Sequence, residues 1–370
     1  MKPVRVGILT IVTFLWLPLA HAQEQAPPAP IRLGIAGLVH GHVTGFLRAA
    51  QARKDVQIVG IFEPDVALQQ KYAKSYNLAG GLFFKDLGTM LERTTPQAVA
   101  SFTSTLDHPA VVDAAAARHV PVMMEKPLAV SSADARRIQQ AADRGGIQVF
   151  VNYETTWYAN HATIWTLFKE RRVAGDIRKM IARDGHEGPK KIRVQDEFFE
   201  WLTDPDKNGA GALFDFGCYG ANLMTWMMDN QRPIAVTAVT QHFQPDVYPK
   251  VDDEATVLVE YPSAIGIIEA SWNWPFGRKD FEVYGDHGSA VAMTGGGALR
   301  VTLPNDPDHS VTPDERPADE HDSISHLISV VRGGKPNALS SLANNIIVTE
   351  ILESARESSK THARVVLAHR

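Results

Sequence analysis

From Ile31 onward, short apolar runs alternate with longer mixed segments, and this alternation restricts the fold more than any other feature of the sequence. The apolar runs predict strands over 31–36, 56–62, 97–102, 120–124 and 147–151. The segments between them predict helices over 43–53, 64–77, 109–118 and 133–144, the last with Ser132 as its N-cap. Alternating strands and helices are joined by right-handed crossovers, which give a parallel sheet covered on both faces. Residues 31–151 are therefore predicted to form a doubly wound α/β domain that binds ligands at the carboxyl ends of its strands.

The pattern changes in residues 152–370. Helices are predicted over 159–172, 210–228 and 341–359. Runs of period-two alternation predict strands over 177–183, 236–242, 255–261, 264–272, 280–284, 290–293 and 299–303. Residues 305–321 are predicted to be a surface loop and 364–367 a last strand. Because such alternation between turns is typical of antiparallel strands, we expect a second α/β domain with an open, mainly antiparallel sheet. Its C-terminal segment can return to the first domain.

Residues 1–22 have the pattern of an export signal. A basic start precedes an apolar run over 6–19, and small residues follow at Ala20 and Ala22. We expect cleavage after Ala22, a proline-rich tether over 23–30, and a periplasmic or secreted protein without a membrane contact. An uncleaved anchor is the alternative, but the apolar run is short for a membrane span.

Charge content argues against a nucleic-acid-binding protein, and cysteine content excludes a fold stabilised by internal disulfides. The 370 residues carry 42 acidic and 37 basic side chains, a formal net charge of −5, which does not favour a nucleic-acid partner. Cys218 is the single cysteine, so no internal disulfide can form and the fold must depend on its core.

Four short motifs occur in a characteristic order. They are Glu125-Lys126-Pro127, Asp215-Phe216-Gly217-Cys218-Tyr219 after Gly209-Ala210-Gly211, Val251-Asp252-Asp253, and Tyr284-Gly285-Asp286-His287-Gly288. From Ile31 to the C-terminus, this order resembles the Gfo/Idh/MocA oxidoreductases, which include glucose–fructose oxidoreductase and inositol dehydrogenase. The resemblance implies a Rossmann domain, a sugar or polyol substrate, and hydride transfer with NAD or NADP.

The resemblance also implies a catalytic centre. Lys126 and Asp215 match the family's lysine and aspartate, Tyr219 stands at its acid/base position, and Asn222 at a second acidic position. On one helix, residues 215, 219 and 222 would share a face. A phenol has a pKa of about 10, so we expect the Lys126 ammonium to lower the pKa of Tyr219 or to bind the substrate oxygen. A core hydrogen bond between Tyr219 and Asp215 is the alternative.

The loop after the first strand departs from the dinucleotide fingerprint. Gly37 is kept, but Val39 and His42 stand at the second and third glycine positions, and Gly41 preserves part of the turn. Glu63 ends the second strand, where an acid holds the adenosine ribose and favours NAD over NADP.

His40 and His42 admit two interpretations. They can donate to a pyrophosphate, or they can serve a site that has lost the dinucleotide and binds substrate or metal. We find no further ligand at suitable spacing, so no metal site is predicted. Thr103, His108 and Glu125 lie in loops after strands and are predicted to border the cofactor, with His108 matching a histidine that the family keeps near the nicotinamide.

The region where the two domains meet supplies candidate substrate residues. Tyr153, Glu154 and Trp157 follow the last parallel strand, and Trp157 can stack on a sugar or belong to the core. His186 is a weaker candidate, because a lone loop histidine is usually solvated.

Three functional hypotheses follow. The first is an exported NAD-dependent sugar oxidoreductase. The second is a cofactor-independent glycan lyase or hydrolase in the same pocket, favoured by the altered glycine loop and by the scarcity of NAD outside the cell. The third is a sugar-binding protein with an inactive site. A homo-oligomer through the open sheet is also expected.

Overall fold

The computed structural model describes residues 28–295 and 297–367, together with Pro3 and Gly7. Apart from Pro3 and Gly7, the predicted export signal and most of the tether therefore lie outside the described residues. Within the described ranges, no helix is long and apolar enough to cross a bilayer.

The first domain is a six-stranded parallel sheet with strand order β3-β2-β1-β4-β5-β6. Its strands are β1 (Ile31–Ala36), β2 (Val56–Phe62), β3 (Phe83–Phe84), β4 (Ala98–Ser101), β5 (Val122–Glu125) and β6 (Val149–Asn152). Its helices are α1 (Val43–Ala52), α2 (Val66–Tyr76), α3 (Leu87–Thr94), α4 (His108–Ala116) and α5 (Ser132–Gly145). The predicted doubly wound sheet is confirmed, and the order reverses between β1 and β4, where such sheets open a ligand crevice.

Two details of this domain differ from the prediction. The short β3 and α3 were not predicted, since a two-residue strand gives no periodic signal. The N-cap of α5 is Ser131 and not Ser132, because Ser131 has extended backbone and its hydroxyl accepts from the Asp134 N–H at 3.2 Å.

The second domain is built on a nine-stranded sheet with order β14-β13-β12-β11-β7-β10-β9-β8-β15. Its strands are β7 (Ile177–Gly185), β8 (Ala235–Gln241), β9 (Glu254–Glu260), β10 (Ile265–Ser271), β11 (Arg278–Gly285), β12 (Ser289–Ala292), β13 (Leu299–Leu303), β14 (Asp306–Val311) and β15 (Val365–Val366). Only β7 and β10 pair in parallel among these neighbours, so the mainly antiparallel sheet is confirmed.

The helices of the second domain differ most from the prediction. They are α6 (Ala159–Trp165), which continues as a π-helical turn (Thr166–Glu170), α7 (Asp196–Leu202), α8 (Pro205–Asn208), α9 (Ala212–Asp215), α10 (Gly217–Met227), α11 (Ser323–Val331) and α12 (Leu342–Thr361). The helix predicted over 210–228 is broken at Phe216, and α7, α8 and α11 were not predicted. The surface loop predicted over 305–321 contains β14, a polar edge strand whose residues lack alternating burial.

One segment near the C-terminus returns to the first domain. Ile324, Leu327 and Ile328 of α11 are buried in the same core cluster as β1. The Val151 N–H donates to Ser340 O at 2.9 Å. The final strand, β15, instead pairs with β8 at the edge of the second sheet. Residues 323–341 therefore connect the domains a second time.

Helix α10 packs very closely on the second sheet. A Cβ placed on Gly220 would lie 2.8 Å from the Ala182 Cβ and 3.0 Å from the Ile268 side chain. The preceding α9 is held by Asp252, whose carboxylate accepts from the N–H groups of Gly211 at 2.9 Å and Leu213 at 2.7 Å. Together these contacts fix the helix pair that carries the candidate site.

Gly220→Ala is expected to destabilise the protein by about 1–3 kcal/mol, because the added methyl forces α10 away from the sheet. The matched control is Gly45→Ala in α1, where a Cβ meets no atom within 4 Å. The control is expected to stabilise by about 0.5–1 kcal/mol, since alanine is the better helix former. Urea unfolding measures both changes, and equal stability of the two variants would contradict this account of α10.

Candidate active site

A buried ion pair joins the two domains. Lys126 directly follows β5, at the carboxyl edge of the first sheet, and Asp215 ends α9. The Lys126 Nζ lies 2.5 Å from Asp215 Oδ1 and 3.0 Å from the Asp215 carbonyl oxygen. Both side chains are only 5% exposed. The other carboxylate oxygen accepts from the Trp272 Nε1–H at 2.9 Å, so Asp215 is held from both domains.

Both members of the pair are charged at neutral pH. Burial is the largest single effect on Lys126 and lowers its pKa, but Asp215 together with Cys218 and Glu125 outweighs burial, and the net shift is upward. Burial is also the largest single effect on Asp215 and raises its pKa, but Lys126 together with His186 and Trp272 outweighs burial, and the net shift is downward. An ammonium has three N–H donors, and two of them go to Asp215. One donor remains for a substrate oxygen.

The Tyr219 ring lies beside this pair. Its centroid is 5.2 Å from the Lys126 Nζ and 5.3 Å from the Lys279 Nζ, and the Tyr153 ring contacts it edge-on at 5.4 Å. The expectation that Lys126 lowers the pKa of Tyr219 is wrong. Burial, together with the negative charge of Glu154 and other acidic neighbours, raises the pKa of Tyr219 well above its usual value. The phenol is therefore protonated at neutral pH and can donate a hydrogen bond or a proton.

Tyr153 and Glu154 are neighbours of Tyr219. The Tyr153 hydroxyl is buried and has no hydrogen-bond partner among the residues that the structure describes. Glu154 accepts from the Lys279 Nζ at 2.7 Å and from the Tyr158 hydroxyl. Sequence reasoning missed Lys279, because no motif marks a lysine that enters the site from β11.

His186 is not the solvated loop residue that its sequence context indicated. Its ring contacts the Phe216 ring edge-on at 4.8 Å, and its Nδ1 accepts from the Gly188 N–H at 2.9 Å. Burial lowers the pKa of His186, so the ring is neutral near pH 7. It can therefore act as a hydrogen-bond partner close to Asp215.

The structure ties the Asn222 amide to α12 and not to the Lys126–Asp215 pair. The break at Phe216 separates Asp215 from α10, so helical spacing does not place residues 215, 219 and 222 on one face. The Asn222 amide instead donates to Leu339 O at 2.8 Å and to Asn344 Oδ1 at 2.9 Å. It fastens α10 to the N-terminal end of α12.

A chain of hydrogen bonds links Trp157 to His42 through Asn152 and Glu125. The Trp157 Nε1–H donates to Asn152 Oδ1 at 3.0 Å, and the Asn152 amide donates to Glu125 Oε1 at 2.8 Å. The second Glu125 oxygen lies 2.9 Å from His42 Nδ1. Trp157 is thus a half-buried, hydrogen-bonded residue whose ring lies 5.4 Å from that of His326.

The adenosine end of a dinucleotide site is preserved. A cavity of ≈ 470 Å³ is lined by Gly37, Val39, Glu63 and Thr103 among others. Gly37 has φ of +83°, and a Cβ there would lie 2.7 Å from the Thr103 methyl. The buried Glu63 carboxylate accepts one N–H on each oxygen, from Leu38 at 2.9 Å and from Asp65 at 3.0 Å. Each oxygen keeps a lone pair for a ribose hydroxyl, so these residues fit the group.

The phosphate end is covered by the second domain. The Phe198 ring of α7 lies 2.8 Å from where a Cβ of Gly41 would stand, and the Trp201 Nε1–H donates to Val39 O at 3.1 Å. The His40 N–H donates to Phe102 O at 3.0 Å. Sequence reasoning missed this cover, because α7 is short and its aromatic residues lie in a polar stretch.

Two buried histidines border the loop. Burial lowers the pKa of His40 well below its usual value and also lowers the pKa of His108, so both rings are neutral. His108 begins α4, and its Nδ1 lies 3.0 Å from Leu128 O. Its Nε2 has no hydrogen-bond partner within the described ranges, which leaves that atom able to contact a ligand.

Asp184 is a second residue that the sequence did not single out. It is 1% exposed at the end of β7, and neither of its carboxylate oxygens is hydrogen-bonded within the part of the chain that the structure covers. Burial raises the pKa of Asp184 well above its usual value, although Lys279 offsets part of that effect. Its surroundings therefore favour the protonated form of the carboxyl group.

Comparison with known proteins gives the class of this fold and site. The family model described as "Oxidoreductase family, NAD-binding Rossmann fold" matches residues 31–153, and that described as "GFO/IDH/MocA C-terminal domain" matches residues 169–291. Together they span about two thirds of the chain. The chain therefore belongs to the Gfo/Idh/MocA oxidoreductase family, and the predicted resemblance is confirmed.

Individual relatives are distant. A trans-1,2-dihydrobenzene-1,2-diol dehydrogenase of Sus scrofa is 24% identical over 64% of this chain and 66% of its own length. A glucose-6-phosphate 3-dehydrogenase of Bacillus subtilis (strain 168) is 21% identical over 54% of this chain and 53% of its own. The chain thus spans less than two thirds of the length of these relatives.

Solved structures share the whole architecture. An aldose–aldose oxidoreductase of Caulobacter crescentus, complexed with glycerol, has a TM-score of 0.77 at 18% identity and covers 91% of this chain and 100% of its own. An inositol dehydrogenase homologue of Azotobacter vinelandii, complexed with NAD⁺, has the same score and identity and covers 91% and 97%. At this identity the likeness establishes the fold alone.

Asp184→Asn is expected to stabilise the protein increasingly as the pH rises. Between the unfolded pKa of about 4 and the raised folded pKa, the folded state binds the Asp184 proton more tightly than the unfolded state. Wild-type stability therefore falls with rising pH by up to about 1.4 kcal/mol per pH unit from this group, whereas asparagine has no such proton.

The measurement is the difference in unfolding free energy between variant and wild type, by urea unfolding at about pH 4 to 7. Asp246→Asn, at an exposed position, controls for the substitution itself. A difference that stays constant over this range would show that Asp184 is ionised in the folded protein.

Proposed function

We propose that this chain oxidises or reduces a CH–OH group of a sugar or polyol by hydride transfer, with NAD preferred over NADP. The observation that carries the proposal is the buried Lys126–Asp215 pair with one ammonium donor left beside the protonated Tyr219 phenol. Family membership supports the redox class, and the names of the relatives support the substrate class.

Lys126 and Tyr219 have separate roles in this proposal. The free Lys126 donor binds the reacting oxygen, and Asp215 keeps the ammonium charged and oriented. Tyr219 donates its proton to that oxygen in the reductive direction and recovers it in the oxidative direction. Burial and acidic neighbours disfavour the phenolate, so the protonated phenol is the form that meets the substrate carbonyl in the reductive direction. The nicotinamide cofactor supplies or accepts the hydride.

The surroundings of Tyr219 suit a polyhydroxylated substrate. Tyr153, Glu154, His186 and Lys279 offer both donors and acceptors on one side of the reacting position. Trp157 presents an aromatic face at the edge of the cleft, where it can stack on a sugar ring. Specific sugar recognition therefore depends on these side chains and not on the ion pair.

Glu63 determines the choice of cofactor. Its carboxylate, fixed by two backbone N–H groups, is placed to accept the adenosine ribose hydroxyls, and its charge repels a 2′-phosphate. Gly37 and Thr103 line the same cavity and would contact the adenosine half.

A second candidate is a cofactor-independent glycan lyase or hydrolase. The observation in its favour is the cover of Phe198 and Trp201 over Gly41 and Val39, where a pyrophosphate would approach the backbone. In that case Tyr219 and the neutral His186 would perform proton transfer without hydride transfer.

Dinucleotide binding separates the two candidates. Calorimetric titration is expected to show one NAD per chain, with NADP at least about tenfold weaker because Glu63 repels its phosphate. In parallel, protein purified from its native compartment is denatured and examined for released dinucleotide. Absence of binding at millimolar NAD would contradict the redox proposal and favour the lyase or hydrolase.

Tyr219→Phe is expected to lower kcat/KM by about 10²–10⁴-fold while NAD binding is unchanged, because only the proton donor is lost. The assay follows NADH formation with a panel of aldoses and cyclic polyols. Tyr284→Phe, a tyrosine of β11 that bonds Glu282, is the matched control and should retain activity. Full activity in Tyr219→Phe would exclude this role.

Lys126→Met is expected to abolish activity and to cost about 3–5 kcal/mol of stability, because Asp215 is left buried and unpaired. The double variant Lys126→Met/Asp215→Asn removes both charges and is expected to regain most of that stability but no activity. Circular dichroism and urea unfolding establish folding before the assay. Activity in the folded double variant would contradict the role of Lys126.

Two expectations from the sequence are retained as proposals. We propose export with cleavage after Ala22, which the N-terminal mass of the protein from its native host would test.

We also propose a homo-oligomer through the open face of the second sheet, where Val239 is 58%, Leu258 43% and Ile265 45% exposed. Analytical ultracentrifugation tests the second proposal, and a monomer at micromolar concentration would contradict it.

A further inference from the structure

His40, His42 and Glu125 converge at the carboxyl edge of the first sheet. One potential ligand atom from each of them lies within 4.8 Å of the other two. The sequence offered no third ligand, because Glu125 follows the histidines by more than eighty residues and reaches them only through the order of the parallel strands. We propose that these three side chains bind a divalent transition-metal cation.

Glu125 has the environment of a metal ligand. It is fully buried, and within the described ranges no lysine or arginine pairs with it, since the neighbouring Lys126 bonds to Asp215. Its one direct ion-pair contact within the described residues is with His42, whose side chain is 45% exposed, while the nearby Lys126 ammonium bonds to Asp215. A buried carboxylate without a fixed cation is costly, and a bound divalent ion removes that cost.

His40 supplies an independent observation. It is 1% exposed, and its Nε2 has no hydrogen-bond partner among the residues described. Its Nδ1 makes only a long contact of 3.2 Å with the His42 N–H. A neutral imidazole with one weakly held and one unpartnered nitrogen is free to bind a cation through either of them.

The distance between His42 and Glu125 is close to that between two ligands of one cation. Two ligands that each lie about 2.1 Å from a cation are about 3.0 Å apart in an octahedral site and about 3.4 Å apart in a tetrahedral one. His42 Nδ1 and Glu125 Oε2 are separated by 2.9 Å. Asn152 holds the other Glu125 oxygen and is itself held by Trp157, which is the outer-shell support that metal-binding carboxylates usually have.

The ligand set indicates the class of cation and its use. Two imidazoles and one carboxylate favour zinc, manganese or ferrous iron over magnesium or calcium. Three protein ligands leave positions open for water or substrate, as in catalytic sites. His42, Glu125 and Trp157 line a cavity of ≈ 660 Å³, so a ligand can reach the cation. The inference does not rest on hydride transfer, because a cation can polarise a sugar oxygen for redox or for elimination chemistry.

The test is calorimetry of tag-free protein that has been stripped with a chelator and then titrated with Zn²⁺, Mn²⁺ or Mg²⁺. One Zn²⁺ or Mn²⁺ per chain is expected, with Mg²⁺ much weaker. His42→Asn and Glu125→Gln are each expected to weaken binding by at least about 100-fold, and Asn152→Ala by about 10–100-fold through loss of orientation. His287→Asn, an exposed histidine beside Asp286, is the matched control and should bind as wild type does.

Thermal unfolding shows that each variant is folded. NAD titration of the same variants measures cofactor binding separately from metal binding. Metal binding without NAD binding would support the metal site and contradict the redox proposal. NAD binding without metal binding would support the redox proposal and contradict the metal site. Absence of saturable Zn²⁺ or Mn²⁺ binding, or equal binding by His42→Asn, Glu125→Gln and wild type, would overturn the metal site.

Discussion

The buried ion pair between Lys126 and Asp215 is the interaction on which the rest of the site depends. One partner belongs to the first sheet and the other to a short helix of the second domain, so the pair aligns the domains and the reacting groups together. Removing both charges from water is costly, and three further contacts offset that cost. Trp272 donates to the Asp215 carboxylate, and the Lys126 ammonium also contacts the Asp215 carbonyl and the Tyr219 ring. The Asp252 cap on α9 serves the same end, because it fixes the helix that presents Asp215.

The first domain could be predicted almost completely from the sequence, because five of its six strands are long enough to give a periodic signal. The convergence of Lys126 with Tyr219 could also be predicted, since both belong to motifs. Trp272 and Lys279 could not, because each comes from a strand whose other residues alternate normally and nothing local distinguishes them. Asn222 was misplaced because helical spacing was assumed across Phe216, where the backbone interrupts the helix.

The two ends of the cofactor region have diverged to different degrees. At the adenosine end, Glu63 and Gly37 retain the contacts that a ribose and a close turn need. At the phosphate end, histidines and the aromatic residues of α7 fill the volume that glycines normally leave open. The same change that weakens the phosphate cradle brings His40 and His42 against Glu125. The loop that departs from the glycine pattern therefore also carries two ligands of the proposed metal site.

The return of residues 323–341 to the first sheet has a consequence for the order in which the protein matures. The core beneath β1 includes Ile324 and Leu327, which lie almost three hundred residues further along the chain. Contacts of such long sequence separation form late, because the intervening loop must first be closed. While the chain emerges from the ribosome, its N-terminal half therefore lacks part of its own interior. If the chain is exported as proposed above, this delay would keep the first domain from folding completely before it has crossed the membrane.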